Sequence, residues 1–277
     1  ANMMDKVLVV SNHSKYVYEN TVYEAKNEQT GEIINGYKCE TPIDVIGYPV
    51  IDYSPEELDI ELDYDFNFLS VAQWGPRKNV SNTIKWFVEE FYDQEVGLVL
   101  KLNIGKDSII DRYHTTRHVE NVLNEFPDRK CKIYLLHGDL TDGQMTTLYQ
   151  NPKIKVLINL AHGEGFGLPI FEAAYNGVPV LVPDWSGHLD FLYMPVKDKK
   201  KNRMVNKAMF GKVAFTVQPV PKEAVWEGVI QEDSMWCYPE QGKFKMRLRE
   251  AFKEYSRFES RAKKLQKWIC KTFTEEI

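Results

Sequence analysis

NPKIKVLINLAHGEGFGLPIFEAAYNGVPVLVPDWSGHL, residues 151–189, decides how this chain folds. Its apolar run, residues 154–160, is too short for a membrane span and reads as a strand buried on both faces. Three glycines in residues 162–167 break the pattern, and Pro169 stands where the first turn of a helix tolerates proline. Ile170, Phe171, Ala173 and Ala174 continue as a short helix. Gly177 then suits the left-handed position past a helix end, and residues 178–182 form the next buried strand. The loop of this β-loop-α-β unit opens onto a helix N-terminus, where free backbone N–H groups favour an anion. Two carboxylates frame that position, Glu164 in the loop and Glu172 within the helix. Acids beside bound phosphate are electrostatically poor, so they should bond neutral groups, and sugar and ribose hydroxyls meet that demand.

The segment HGEGFGLPIFEAAYNGVPVL, residues 162–181, resembles the E-x7-E signature of retaining, nucleotide-sugar-dependent glycosyltransferases of family 4. Two spaced glutamates alone say little. Set in EGFGLPIFEA between two buried strands, they have the structural context the motif requires. The likeness extends from about residue 43 to the C-terminus. It implies the donor-binding half of a GT-B enzyme that transfers a hexose from a nucleotide diphosphate sugar, with retention of configuration and without metal. By the same likeness Glu172 holds the nucleotide ribose and Glu164 the hydroxyls of the donor sugar. The Gly165, Phe166 and Gly167 loop, through its amides, and Lys78 would neutralise the leaving diphosphate. No cofactor is implied beyond the donor itself, and the acceptor (glycan, lipid or protein) is not specified.

Composition sets the outer bounds. The 277 residues, 43% hydrophobic and 27% charged, suit a globular protein with ample core. A net charge of −5 argues against a general nucleic-acid binder. Cys39, Cys131, Cys237 and Cys270 are scattered with no CxxC pair, which points to a reducing compartment without disulfides or a zinc knuckle. No apolar run reaches spanning length and the first residues carry no secretory signal, so the cytoplasm is the expected location.

Strands alternating with helices from residue 66 onward predict an α/β fold with a doubly wound, Rossmann-like parallel sheet, preceded by a short N-terminal remnant. Residues 1–65 read as an N-terminal segment and linker, and residues 66–277 as the donor-binding domain. Little precedes the linker. The chain therefore reads as half of a two-domain enzyme, with the acceptor wall missing. Residues 6–10 form a strand, Ser14 caps a short helix over residues 16–19, and His13 falls in the turn between them. Residues 23–39 suggest a hairpin or an extended excursion.

Residues 66–72 open the main sheet, and residues 80–92 form a helix with Ile84, Phe87, Val88 and Phe91 on one face. Between them QWGPRKN matches the family's phosphate pattern G-R-x4-K-N in Lys78-Asn79 but departs at Ala72-Gln73. Arg77 either replaces the missing arginine or is an exposed loop cation. Residues 96–102 and 131–137 are further strands. The likeness places His137 and Gly138, at the end of the second, beside the nucleotide base. Two metal readings are weak. Asp63-Tyr64-Asp65 is a chance-length match within an acidic linker, and His114 and His118, one helical turn apart, lack a third ligand. The basic run at residues 197–203 reads as a solvated loop before a strand over residues 213–217. Apolar periods at residues 244–258 and 265–269 predict two closing helices. An epimerase on the same fold, or a nucleotide-binding module without catalysis, would share most of these features.

Overall fold

The structure, a computed structural model, describes residues 1–198 and 202–275. At its centre six strands lie parallel: β5 (Asn67–Gln73), β6 (Gly97–Asn103), β7 (Lys132–Leu136), β8 (Ile154–Ile158), β9 (Val180–Pro183) and β12 (Gly211–Val213). Their spatial order is β12-β9-β8-β5-β6-β7. The chain winds outward in one direction from β5 and then returns to β8 on its other side, which is the doubly wound topology expected from the sequence.

Alternation along the strands fills a core on each face. Phe68, Leu98, Leu100, Val156, Ile158 and Leu181 point to one side, where they meet α2 (Val80–Phe91) and α7 (Gln241–Lys253). Leu69, Val99, Leu157, Val180 and Val182 point to the other, against α5 (Leu168–Tyr175) and α8 (Tyr255–Thr272). Helix α8 serves both cores, through Phe258 on the first and Leu265 and Ile269 on the second. Helices α3 (Ile109–Leu123) and α4 (Asp142–Gln150) complete the two layers. Ser108 caps α3, and Thr141 with Gln144 forms a capping box on α4.

Before the sheet, β1 (Val7–Val9) pairs in parallel with β4 (Ile43–Val45), and β2 (Val22–Lys26) forms a hairpin with β3 (Ile33–Lys38). Helix α1 (Asn12–Asn20) starts earlier than expected. Ser11, not Ser14, is its N-cap, accepting from the Ser14 amide, so His13 lies in the helix. After the short α6 (Leu189–Leu192), β10 (Tyr193–Asp198) and β11 (Arg203–Ala208) pair antiparallel and contain residues 197, 198 and 203 of the basic run, whose residues 199–201 lie outside the described set. The strand expected over residues 213–217 divides at Ala214 into β12 and β13 (Phe215–Pro219). The latter turns away to pair with β14 (Met235–Pro239). The first closing helix likewise ends at Glu254, whose φ of −119° and ψ of 35° break the helical ladder, so Phe258 belongs to α8. After α8 the Phe273 carbonyl accepts from the Val50 amide at 2.8 Å, tying the chain's end to the stretch before β5. No helix among the described residues is long and apolar enough to cross a membrane.

Phe68 is fully buried, with ring centroids 5.7 Å from Phe87 and 5.5 Å from Phe91. Phe68→Ala should cost about 3–5 kcal/mol of unfolding free energy in a urea titration; a loss below about 1 kcal/mol would contradict this packing.

Candidate active site

The strand order reverses between β5 and β8, so the loops leaving their C-terminal ends diverge and open a crevice, the usual ligand position in such sheets. After β5 the chain makes a tight 3-10 turn over Pro76–Lys78 and enters α2 through Asn79, held left-handed at φ 54°. Asparagine tolerates that conformation. Its amide group donates to the Leu160 carbonyl (3.2 Å) at the end of β8. The His162 amide in turn donates to the Arg77 carbonyl at 2.8 Å. These two bonds lock the loops together.

The lock brings Arg77 and Lys78 onto Glu164. Lys78 Nζ lies 2.6 Å from Oε1 and Arg77 Nη1 3.0 Å from Oε2. Asn159 Nδ2 adds a donor to Oε1 at 3.3 Å, and Arg77 Nη1 also reaches the Gly163 carbonyl. Arg77 is thus no free loop cation, although its side chain keeps 43% of its exposure where that of Glu164 keeps 8%. Burial pushes the Glu164 carboxyl up, but Lys78 and Arg77 outweigh it and hold the group below the ordinary glutamate range. Gln73, where the family pattern has arginine, instead donates to the Ile104 carbonyl.

A second layer fixes the backbone of the loop. The Glu164 amide donates to Ser186 Oγ (2.7 Å), the Ser186 hydroxyl donates back to the Glu164 carbonyl, and the Gly187 amide reaches the same carbonyl at 3.0 Å. A Cβ at residue 187 would stand 1.9 Å from the Gly165 carbonyl oxygen, so only glycine fits. The sequence reading passed over Asn159, Ser186 and Gly187 as site residues. The small pair after Trp185 was the available signal, but its partner lies 22 residues away.

Beyond Glu164 the loop presents its amides. Phe166 turns its ring into the core against Tyr48, Phe171 and Phe191, and Gly167 takes φ 91° as the N-cap of α5. Among the described residues, the amides of Gly165, Phe166 and Gly167 have no hydrogen-bond partner. One helical turn and more along α5, Glu172 Oε2 accepts from Tyr149 Oη at 2.8 Å. Burial raises the Glu172 carboxyl above its ordinary range, partly offset by that hydroxyl and reinforced by Asp142. The two glutamates therefore sit in opposite electrostatic settings.

His137 and Gly138 directly follow β7, which stops at Leu136, and β7 lies two strands from β5. His137 Nε2 is occupied by Asp111 Oδ1 at 2.8 Å, and Asp111 also gathers the amides of Ile104, Gly105 and Lys106. The structure keeps this pair apart from the Glu164 cluster. Asp63 is paired with Lys132 (2.9 Å) and Tyr134, His114 and His118 are exposed on α3, and among the described residues no group of three or more His, Cys, Asp or Glu could hold a metal.

Arg77, His162, Glu164 and Ser186 line a cleft of about 670 Å³, together with His13 and Tyr16 of α1 and with residues 229–231 and 233–236 ahead of and within β14. His13 packs edge-on to Trp185, and the Asn12 amide donates to Asp190 at 2.7 Å, holding α1 in place.

Comparison with known proteins shows what this geometry resembles. A family model described as family 4 glycosyltransferase in conflict systems matches residues 150–272. The serotype-specific mannosyltransferase WbdA of Escherichia coli is 30% identical over 121 residues, which is 43% of this chain and 13% of that protein's length. Among solved structures, sucrose-phosphate synthase from Thermosynechococcus elongatus aligns over 98% of this chain and 55% of its own, with a TM-score of 0.61 at 14% identity. The pneumococcal O-GlcNAc transferase GtfA, solved with UDP and GlcNAc, aligns over 98% and 42% with a TM-score of 0.52 at 15% identity. The chain spans about half the length of these structural relatives and a smaller share of WbdA. Both glutamates and the loop between them lie inside the matched residues, so this part of the chain is similar to the family 4 glycosyltransferases, and the sheet is that of the GT-B fold.

Proposed function

We propose that this chain forms the donor site of a glycosyltransferase that moves a hexose from a nucleotide diphosphate sugar to an acceptor hydroxyl, with retention of configuration and without a metal ion. In this reading residues 66–277 are the donor-binding unit, and residues 1–65 are the segment and linker leading to it. The observation that carries it is the meeting of Lys78, Arg77 and Glu164 beside the unpaired amides of Gly165, Phe166 and Gly167. Departure of a nucleoside diphosphate leaves negative charge on the bridging oxygen, and fixed N–H dipoles with a nearby cation stabilise such charge without reorganising. Lys78 and the loop amides supply both. Glu172, steadied by Tyr149, accepts from the ribose hydroxyls, and Glu164 accepts from the transferred sugar. A hexose is favoured by the likeness to a mannosyltransferase, and a nucleotide sugar by the UDP and GlcNAc held in the GtfA structure.

Nucleoside diphosphates should raise the melting temperature of the chain, by about 2.7 kcal/mol of stabilisation at a hundred times the dissociation constant, and a chelator should leave the shift intact. A shift that appears only with added magnesium or manganese would refute the metal-free reading. Transfer from the stabilising nucleotide sugar to sugar acceptors, followed by product release, tests the activity itself.

The two glutamates should separate by mutation. Glu172→Ala is expected to weaken nucleoside diphosphate binding by about 1.5–3 kcal/mol, the usual loss for a charged hydrogen-bond partner. Glu164→Gln removes the charge that occupies Lys78 and Arg77, so nucleoside diphosphate should bind at least as tightly while transfer falls. Calorimetry showing equal weakening in both variants would reverse these assignments. Their pH dependence differs as well. Glu172 is held above the ordinary glutamate range, and its ionised form is the stronger acceptor, with both oxygens free of a proton. Nucleotide affinity should therefore fall as pH drops through that raised value, and Glu172→Gln should flatten the dependence.

A further inference from the structure

His162 stands two residues before Glu164, is buried at 8% exposure and lines the cleft. It stacks on Trp236 at 5.2 Å and 13° and leans against Tyr238 at 4.5 Å. Nδ1 lies 2.6 Å from the Cys237 carbonyl, and the Cys237 amide returns a bond to the His162 carbonyl at 3.0 Å. A carbonyl oxygen only accepts, so Nδ1 carries the proton. In the neutral ring Nε2 then bears a bare lone pair. Burial draws the ring below the ordinary histidine range, opposed by the Cys237 bond, which keeps it neutral near pH 7. Nε2 has no partner among the described residues and is not among their buried unpartnered atoms, so it opens on the cleft that the ring lines.

The cleft needs such an acceptor. A carboxylate offers about four lone-pair sites, and Lys78, Asn159 and Arg77 already take three on Glu164. That leaves roughly one for a sugar that carries several hydroxyls. The Nε2 of His162 is a second acceptor, uncharged and so without repulsion toward a neighbouring diphosphate. A clamp of two aromatic rings and a backbone bond holds it rigid, which reduces the entropy lost on binding.

We propose that His162 is a specificity-determining residue for the donor sugar, its Nε2 accepting a hydrogen bond from a hydroxyl of the transferred hexose. This rests on the donor-site reading above. The readout is the sugar increment, the ratio of affinities for a nucleotide sugar and its parent nucleoside diphosphate, measured by calorimetry. The probe is whichever of UDP-glucose, UDP-GlcNAc or GDP-mannose stabilises the chain most. His162→Asn keeps a donor where Nδ1 stood and drops Nε2; His162→Gln keeps an acceptor near Nε2 and drops the anchor to Cys237. The increment should fall roughly 2- to 12-fold in the Asn variant, the scale of one neutral hydrogen bond, and less in the Gln variant, with nucleoside diphosphate affinity unchanged in both. In the unmutated protein the Nε2 chemical shift should move with the nucleotide sugar and stay put with the nucleoside diphosphate, which keeps the test open if a variant fails to fold. A full increment in the Asn variant, a greater loss in the Gln variant, or an Nε2 shift blind to the sugar would overturn the assignment and leave the nucleotide site standing. Failure of the unmutated chain to bind any nucleoside diphosphate would instead remove the donor-site reading, and this inference with it.

Discussion

The buried carboxylate of Glu164 is the constraint on which the site depends. Taking a carboxylate out of water is costly, and the cost is recovered only where opposite charges and hydrogen bonds are already in position. Lys78 and Arg77 provide them from the far side of the crevice, at 2.6 and 3.0 Å. The ion cluster thus spans the point where the sheet's winding reverses and joins two loops that the topology pulls apart. It also stores two cations beside the loop amides. Two cations share one carboxylate there, so the cluster keeps a net positive charge that is already held in place beside the loop.

That cluster works only if the backbone beneath it cannot relax. Asn79 in the left-handed region, Gly167 at φ 91° and Ser186 at φ 89° are three unusual conformations within the walls of one crevice. Each is tied down by neighbours: Asn79 to Leu160, Ser186 to both ends of Glu164, and the Gly167 turn to Ile170 and Phe171. Backbone held in sparsely populated regions and over-determined by its surroundings is a recurring mark of functional sites. The large hydrophobic cores on both sheet faces supply the rigidity against which these turns are held.

Much of this was legible in the sequence because it is local. The alternation of Phe68 with Leu69, and of Leu98, Val99 and Leu100, announces strands buried on both faces. The glycines at 165 and 167, Pro169 and Gly177 place the loop and helix ends within a residue or two. What stayed hidden is what depends on distant partners. Arg77 and Lys78 are adjacent and would point apart on a regular strand; the 3-10 turn at Pro76–Lys78 and the His162 amide bring both to Glu164. Ser186 looks like a turn residue until the chain returns to Glu164. The β10–β11 pairing escaped because Pro195 and a lysine run obscure its alternation. The apolar period through Phe252, Tyr255 and Phe258 conceals the break at Glu254, since α7 and α8 each continue a buried face.

The two glutamates of the motif are best understood as unlike groups. Glu164 is paired and held below its ordinary range by Lys78 and Arg77, against the pull of burial, and acts as a fixed element of the wall. Glu172 has one hydroxyl donor, Tyr149, and an acidic neighbour in Asp142, and burial raises it. A carboxylate in that state gains from each further neutral donor offered to it, because every hydrogen bond offsets part of its desolvation. Two adjacent hydroxyls are such an offer, and a ribose carries them. The eight-residue spacing places one acid in the loop, within reach of cations from the neighbouring strand's turn. It places the other a little over one turn into the helix, against Tyr149 instead of those cations, so the proposed division between holding a sugar and holding its nucleotide has an electrostatic counterpart in the fold.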